Sequence, residues 1–236
     1  MALARGNLLL AEWKGPAGEE RSESLWEEIG ALLEQAACRV HEVDLYSVGI
    51  GPGAFTGLRV GVAAAKGMAA AMEKPMVGIT SLEIVAYSAK DDALVCALMN
   101  GYRGEVYWQV FSTGVDSLPV ARTQPQSTCL EFMLDNVEEG AAMAAGGDGA
   151  EELVILLSGA IRARELKGAA PRIIRQQLGN RAVLLARLGL ARFAAGAAVS
   201  AEALKACYVR PAEAEIKLAR GLLGPGMGKG IRKSEK

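Results

Sequence analysis

The sequence predicts an α/β fold, and three observations carry that expectation. Buried-strand signals at 45–50 and 76–80 enclose a helical stretch, the pattern of a parallel crossover unit. A glycine-rich loop, Gly51-Pro52-Gly53-Ala54-Phe55-Thr56-Gly57, joins the first of these strands to the helix. Two more strand signals, at about 93–99 and 105–111, flank a hairpin turn at Asn100-Gly101-Tyr102-Arg103-Gly104.

The elements follow in chain order. Residues 2–13 read as a hairpin, with Arg5-Gly6-Asn7 as the turn and Leu8-Leu9-Leu10-Ala11 as the returning strand. Ser22 and Glu23 open a helix that runs to about Cys38, and Leu25, Ile29, Leu32, Leu33 and Ala36 recur at helical spacing along its apolar face. After the strand Leu45 to Ile50 and the glycine loop, Leu58 to Met72 is helical and ends near Pro75. Met76 to Thr80 is a strand, and Ser81 is expected to cap the next helix. The α/β part closes near residues 100–110, and the remainder reads as helix-rich around a second glycine loop, Gly146-Gly147-Asp148-Gly149-Ala150. The expected division is a first unit over 1–105, a smaller one over 106–223, and a Gly/Lys-rich disordered tail over 224–236.

Composition narrows the function classes. A chain of 236 residues with 51% hydrophobic and 22% charged residues buries a core without staples, so disorder as the main state is excluded. A net charge of −1 gives no bulk attraction to nucleic acid or membrane. Cys38, Cys96, Cys129 and Cys207 are too far apart in sequence for a CxxC pair or a zinc-ribbon spacing, and read as reduced core thiols. No apolar run reaches membrane-span length, and the start of the chain lacks a secretory pattern, so the expected location is cytoplasmic. The single histidine, His41, excludes an HExxH metal site and reads as a surface residue in a polar link. Residues 12–44 hold nine acids and three bases, whereas 162–192 hold eight bases and one acid. These are solvated helix faces or, for the basic stretch, a face for an acidic partner or an RNA backbone.

The loop 51–57 is the sharpest local feature. A strand delivers the chain to a tight turn, glycines permit positive φ, and a helix N-terminus with free N–H groups follows. It is not a Walker loop, because no lysine follows Gly57. The dinucleotide spacing survives only as Gly49-x-Gly51-x-x-Ala54, interrupted by Pro52. Turn packing and anion binding both remain open. The helix that follows is apolar or small around nearly its whole circumference, with Gly61, Ala64, Ala65, Gly67 and Met68 among its residues. Such a helix is covered on both sides by its own fold or presents one side to another chain.

The run from Val48 to Gly61, with Ala65-Lys66-Gly67 and Gly78 to Glu83, closely resembles the signature of the TsaB (YeaZ) family. Arg103-Gly104-Glu105-Val106-Tyr107, Gly147-Asp148-Gly149-Ala150 and Tyr208-Val209-Arg210-Pro211 resemble that family's later motifs. The resemblance implies an actin-like ATPase (ribonuclease-H-like) fold of two subdomains. It implies a non-catalytic scaffold that supports TsaD in transferring a threonylcarbamoyl group to the tRNA adenosine next to the anticodon. It further implies heterodimers with a TsaD homologue, a TsaE homologue joining that complex, homodimers when alone, indirect contact with tRNA, and no membrane. On this resemblance the partner surface falls on Gly51, Pro52, Gly53, Phe55, Thr56, Gly57, Leu58, Arg59, Gly61, Ala64, Ala65 and Met68. No cofactor is expected on the chain by itself, and whether ATP or ADP binds at the heterodimer interface is left open by the sequence. Four departures stand out. The family's opening Asp-Thr-Ser strand has no counterpart here, and Arg21, Ala54 and Asn100 replace the His, Ser and Asp common at their positions. Paired histidines for a TsaD-type metal site are lacking. A free-standing ATP-dependent enzyme of the actin-like superfamily is the alternative, and a direct tRNA-binding module is a third reading.

Overall fold

The computed structural model describes residues 1–14, 25–89, 91–114, 117–163, 171–175 and 181–210. The expected tail at 224–236 and the expected helix opening at Ser22 lie outside them. Strands β1 (Ala2–Arg5) and β2 (Leu8–Glu12) form the expected antiparallel hairpin, turning at Gly6 with φ +60°. Helix α1 (Leu25–Gln35) lies against this hairpin and buries Leu32. Strand β3 (Tyr46–Gly51) pairs in parallel with β4 (Met76–Thr80), and α2 (Phe55–Ala71) is the crossover between them.

Helix α2 begins three residues earlier than expected. The Leu58 N–H already donates to the Ala54 carbonyl at 2.9 Å, so Phe55, Thr56 and Gly57 form its first turn. A glycine there weakens a helix by about 1 kcal/mol, which the packing of the rest of the helix outweighs. Helix α3 (Ser81–Ser88) is capped by Thr80, not Ser81. The Glu83 N–H donates to Thr80 Oγ1 at 3.1 Å, and the Thr80 N–H donates back to Glu83 Oε2 at 2.8 Å. This reciprocal pairing needs an acid three residues after the cap, and Glu83 fits Thr80.

Residues beyond 90 build a second, wider sheet. Strands β5 (Leu94–Tyr102) and β6 (Glu105–Ser112) pair antiparallel around Arg103-Gly104, a tighter turn than the five residues expected. Strands β7 (Val120–Ala121) and β8 (Gln126–Cys129) pair with β6. Helix α4 (Leu130–Asn136) follows, and β9 (Ala142–Ala145) then pairs in parallel with β5. Helix α5 (Ala150–Arg162) leads toward β10 (Ile173–Arg175), parallel to β9, and α6 (Arg181–Ala194) returns to the first half. The division drawn at 105/106 falls inside the β5–β6 hairpin.

The expected helix-rich remainder is therefore a mixed region containing four strands. The run Ala142-Met143-Ala144-Ala145 lacks alternation and β-branched residues, yet all four residues are buried in the sheet. Context overrides propensity there, because a central strand covered on both faces needs only small apolar side chains.

Among the described residues, four apolar clusters hold the fold. One lies between β5–β6–β9 and α4–α5, around Trp108, Met133 and Leu157. A second lies on the other face of that sheet, around Phe111, Leu82 and Val85. A third joins α2 to β3 and to Ala201 and Leu204, and a fourth joins β4 to α3 and α6. Helix α3 is the shared wall, since Leu82 and Val85 face the wide sheet while Ile84 faces the narrow one. Among the described residues, no helix is long and apolar enough to cross a membrane.

Candidate functional site

The motifs noted in the sequence converge. Strand β3 ends at Gly51, whose φ of +101° suits glycine. A Cβ there would stand 3.0 Å from both the Cys207 carbonyl and Leu58 Cδ2, so the position is closed to larger residues on two grounds. The following Gly51–Pro52 peptide is cis. Gly53 and Ala54 are exposed, and α2 then starts without a side-chain cap and without an acid in its first turn.

The segment after α6 returns across this corner as a strap. Met76 and Val199 exchange backbone hydrogen bonds in both directions, each 2.9 Å. Lys66 Nζ donates to the Leu204 carbonyl at 3.0 Å, and the Cys207 N–H donates to the Ile50 carbonyl at 2.7 Å. Ala201 and Leu204 pack into the α2–β3 core. The Cys207 thiol is pushed up from its ordinary pKa, first by burial and then by the Glu83 carboxylate.

The strap brings Tyr208 against the start of α2. The Phe55 and Tyr208 ring centroids are 5.7 Å apart and tilted by 45°. The Arg59 guanidinium sits 4.0 Å above the Phe55 centroid and 6.0 Å from that of Tyr208. Its Nε lies 3.4 Å from the Tyr208 hydroxyl, to which it donates. Two residues on, Arg210 Nη1 lies 3.6 Å from Glu105 Oε2, which also accepts from the Ser127 hydroxyl at 2.6 Å. The nearby Tyr107 hydroxyl is pushed up, chiefly by burial, with Arg210 opposing the shift and Glu105 adding to it. Thus the strap ties the first glycine loop to the β5–β6 hairpin.

The second glycine loop packs on the same hairpin. Gly147 and Gly149 have φ +87° and +76°, and a Cβ on either would stand 3.0 Å from Met99 Cε or Asn100 Nδ2. Asn100 Oδ1 meanwhile accepts from the Tyr102 N–H at 2.8 Å, so its side chain serves the turn. The two loops differ electrostatically. Helix α5 carries Glu151 and Glu152 in its first turn, which opposes a phosphate at that helix end, whereas α2 carries none. A nucleotide with phosphates against both loops does not fit that charge pattern. Among the described residues, no group of three His, Cys, Asp or Glu is placed to hold a metal.

The residues singled out in the sequence separate into two sets. Gly53, Phe55, Thr56, Gly57 and Arg59 are exposed. Gly57 and Gly61 have open space where a Cβ would point. By contrast, Gly51 and Pro52 are buried, and Leu58, Ala65 and Met68 pack against the cluster that contains Ala201 and Leu204. Ala64 is partly buried. The strap therefore covers one side of α2 and leaves the loop end and the opposite stripe open. Sequence reasoning missed the Tyr208–Phe55 contact and the Arg210–Glu105 pair, because no periodicity links residues so far apart.

Four arginines of the basic stretch 162–192 are matched by acids of the same chain. Arg172 pairs with Asp92 at 3.2 Å, Arg175 with Glu151 at 2.9 Å, Arg181 with Asp148 at 2.8 Å, and Arg192 with Glu83. His41 is exposed on the 3-10 helix Val40–Glu42, as its polar surroundings suggested.

Comparison with known proteins places this architecture. The family model for TsaD, described as tRNA N6-adenosine threonylcarbamoyltransferase, matches residues 16–144, more than half of the chain. An uncharacterized protein of Mycobacterium tuberculosis is 36% identical over 94 residues, which is 40% of this chain and 44% of that protein. The Escherichia coli tRNA threonylcarbamoyladenosine biosynthesis protein TsaB is 33% identical over 92 residues, 38% of this chain and 40% of the relative. Its Bacillus subtilis counterpart is 29% identical over 108 residues, 45% of this chain and 47% of the relative. The chain thus spans less than half the length of these curated relatives. The solved structure of YeaZ from Pseudomonas aeruginosa superposes with a TM-score of 0.62 at 24% identity, covering 80% of this chain and 84% of that one. This likeness supports the actin-like, ribonuclease-H-like fold. With the family match running across the glycine loop and α2, the chain belongs to the TsaD family, and TsaB proteins are among its curated relatives.

Proposed function

We propose that this chain is a non-catalytic partner subunit in tRNA threonylcarbamoyladenosine biosynthesis. It binds and supports a TsaD homologue during threonylcarbamoyl transfer to the adenosine next to the anticodon. The observation that carries the reading is the family match over residues 16–144, which contains the glycine loop and α2, together with relatives named for this pathway. The site is consistent with contact rather than chemistry: an exposed loop end, glycines with open space before them, and an asparagine engaged in a turn. On this reading a TsaE homologue joins through the same complex, and the chain forms homodimers when alone. It reaches tRNA indirectly, and ATP or ADP is held at the heterodimer interface.

Light scattering on a sizing column tests the proposal, with the protein alone and then mixed with the TsaD homologue of its own organism. A dimer that converts to a one-to-one heterodimer is the expected result. A chain that ignores the partner overturns the scaffold reading. Nucleotide turnover by the chain alone overturns it in favour of an autonomous ATP-dependent enzyme.

A further inference from the structure

We infer that Arg59, held between Phe55 and Tyr208, is the point at which a carboxylate of a protein partner docks. The inference rests on the partner-subunit reading above and adds the chemistry of the contact. Arg59 is exposed, yet it is not free to wander. Phe55 lies beneath its guanidinium at 4.0 Å, Tyr208 stands at 6.0 Å, and its Nε is spent on the Tyr208 hydroxyl at 3.4 Å. Cation–π contact and that hydrogen bond fix the plane of the fork, and the terminal nitrogens have no hydrogen-bond partner among the described residues.

Arg122, Arg172, Arg175, Arg181, Arg192 and Arg210 each pair with a carboxylate of the same chain. Arg59 has none within ion-pair distance among the described residues. Arg5, Arg39, Arg162 and Arg187 also lack a carboxylate partner among the described residues, and what sets Arg59 apart from them is its restraint between two exposed aromatic rings. A guanidinium ordered in advance loses less freedom on binding and offers two parallel N–H groups, the geometry a carboxylate accepts bidentately. Its surroundings have the make-up of an interface centre. Phe55 and Tyr208 are 40% and 49% exposed, and both residue types are enriched with arginine where protein contacts concentrate their energy. Gly53 and Gly57, with nothing within 4 Å of a would-be Cβ, let a partner backbone approach. A nucleic-acid backbone is the weaker match, because it needs a run of unpaired cations and the arginines of 172–192 paired above are already matched by acids.

Calorimetric titration of the full chain with the TsaD homologue of its organism tests the inference, using wild type, Arg59→Gln, Arg59→Lys and Tyr208→Phe. Arg59→Gln is expected to weaken binding about ten- to a hundredfold, with the loss shrinking as ionic strength rises. Arg59→Lys keeps the charge but not the fork and is expected to fall between the two. Tyr208→Phe, which frees the fork to rotate, is expected to weaken binding about two- to fivefold. Melting of Arg59→Gln should drop by only a few degrees, since an exposed cation–π contact and one long hydrogen bond are lost but no internal ion pair is. Equal affinity for wild type and Arg59→Gln overturns the docking role and leaves the partner reading intact. No binding by wild type overturns both. Loss of tRNA or ADP binding in Arg59→Gln, with partner affinity unchanged, overturns the inference in favour of a phosphate ligand.

Discussion

The two sheet regions of this molecule are stabilised in different ways. Among the described residues the wide sheet has six strands, with β7 and β8 both on β6, and its centre is buried on both faces by clusters made mostly from residues 82–161. Val95, Cys96, Ala97 and Leu98 of β5 are all fully buried in sequence. The first region instead consists of two separate two-stranded sheets, β1–β2 and β3–β4. Two strands are marginal on their own. What holds them is α6, which packs on β1, β3 and β4 from more than a hundred residues away, and the strap that follows it. The wide sheet is therefore a local folding unit, whereas the region carrying the glycine loop depends on the far end of the chain. The candidate site sits where the two meet, so its geometry rests on long-range contacts.

The strongest way to break this difference is at the α6–β3 crossing. A Cβ on Gly189 would fall inside the envelope of the Ser47 hydroxyl and stand 2.6 Å from Ser47 Cβ, so the helix rests on the strand with no room for a side chain. Gly189→Val should lower stability by about 3 kcal/mol or more, as overpacking against backbone-fixed neighbours does. Hydrogen exchange should show β3 and β4 losing protection first while β5, β6 and β9 keep theirs. Pairing Gly189→Ala with Ser47→Gly should recover most of the loss from Gly189→Ala alone. Equal loss of protection in both sheets would show that they are one cooperative unit.

A second break lies at the ion pair joining α3 to α6. Glu83 is 7% exposed, caps α3 through Thr80, and pairs with Arg192. Arg192→Met leaves that carboxylate buried with only its Thr80 hydrogen bond, and about 2–4 kcal/mol of stability should be lost in denaturant titrations. Thr80→Ala removes only the cap and should cost about 1 kcal/mol. Leu204→Ala and Leu157→Ala sharpen the contrast from both sides. Each leaves a cavity expected to cost about 2–4 kcal/mol. The strap variant should loosen the glycine loop alone, whereas the α5 variant should lower the global transition.

Where the chain makes its own local case, the sequence was legible. The hairpin at 2–13, the strand at 76–80 and the parallel crossover through α2 follow from alternation, run length and turn residues. The loop's glycine requirement at Gly51 was legible too, as a turn, although its second cause is contact with a residue 156 positions away. What stayed hidden depends on such distances. Ala142–Ala145 is a strand only because β5 and β10 flank it, and Arg172, Arg175, Arg181 and Arg192 looked like part of a free face because their acids lie elsewhere in sequence. Leu58, Ala65 and Met68 looked like open interface for the same reason, since nothing near them announces the strap. Partner surfaces read from one helix are vulnerable to cover supplied by a distant segment.

The smallest effect compares one thiol from each region. Cys96, fully buried in β5, has its thiol pushed up to about 12 by burial, whereas Cys207 of the strap is half-buried and raised less. An unfolded cysteine ionises near about 8.5. Below that pH both states hold the proton, and Cys96 adds no pH dependence. Above it the unfolded chain releases a proton that the folded chain keeps, so the unfolded state binds fewer protons and stability falls as pH rises. The slope approaches about 1.4 kcal/mol per pH unit and continues until pH reaches the folded value near 12. Cys96→Val, close in volume, should flatten the alkaline arm of stability against pH relative to wild type. Cys207→Val should flatten it less, because a half-buried thiol is already partly solvated. If the two substitutions flatten the curve equally, the strap excludes water as well as the wide sheet does. The first region would then be as tightly built as the second, despite its narrower sheets.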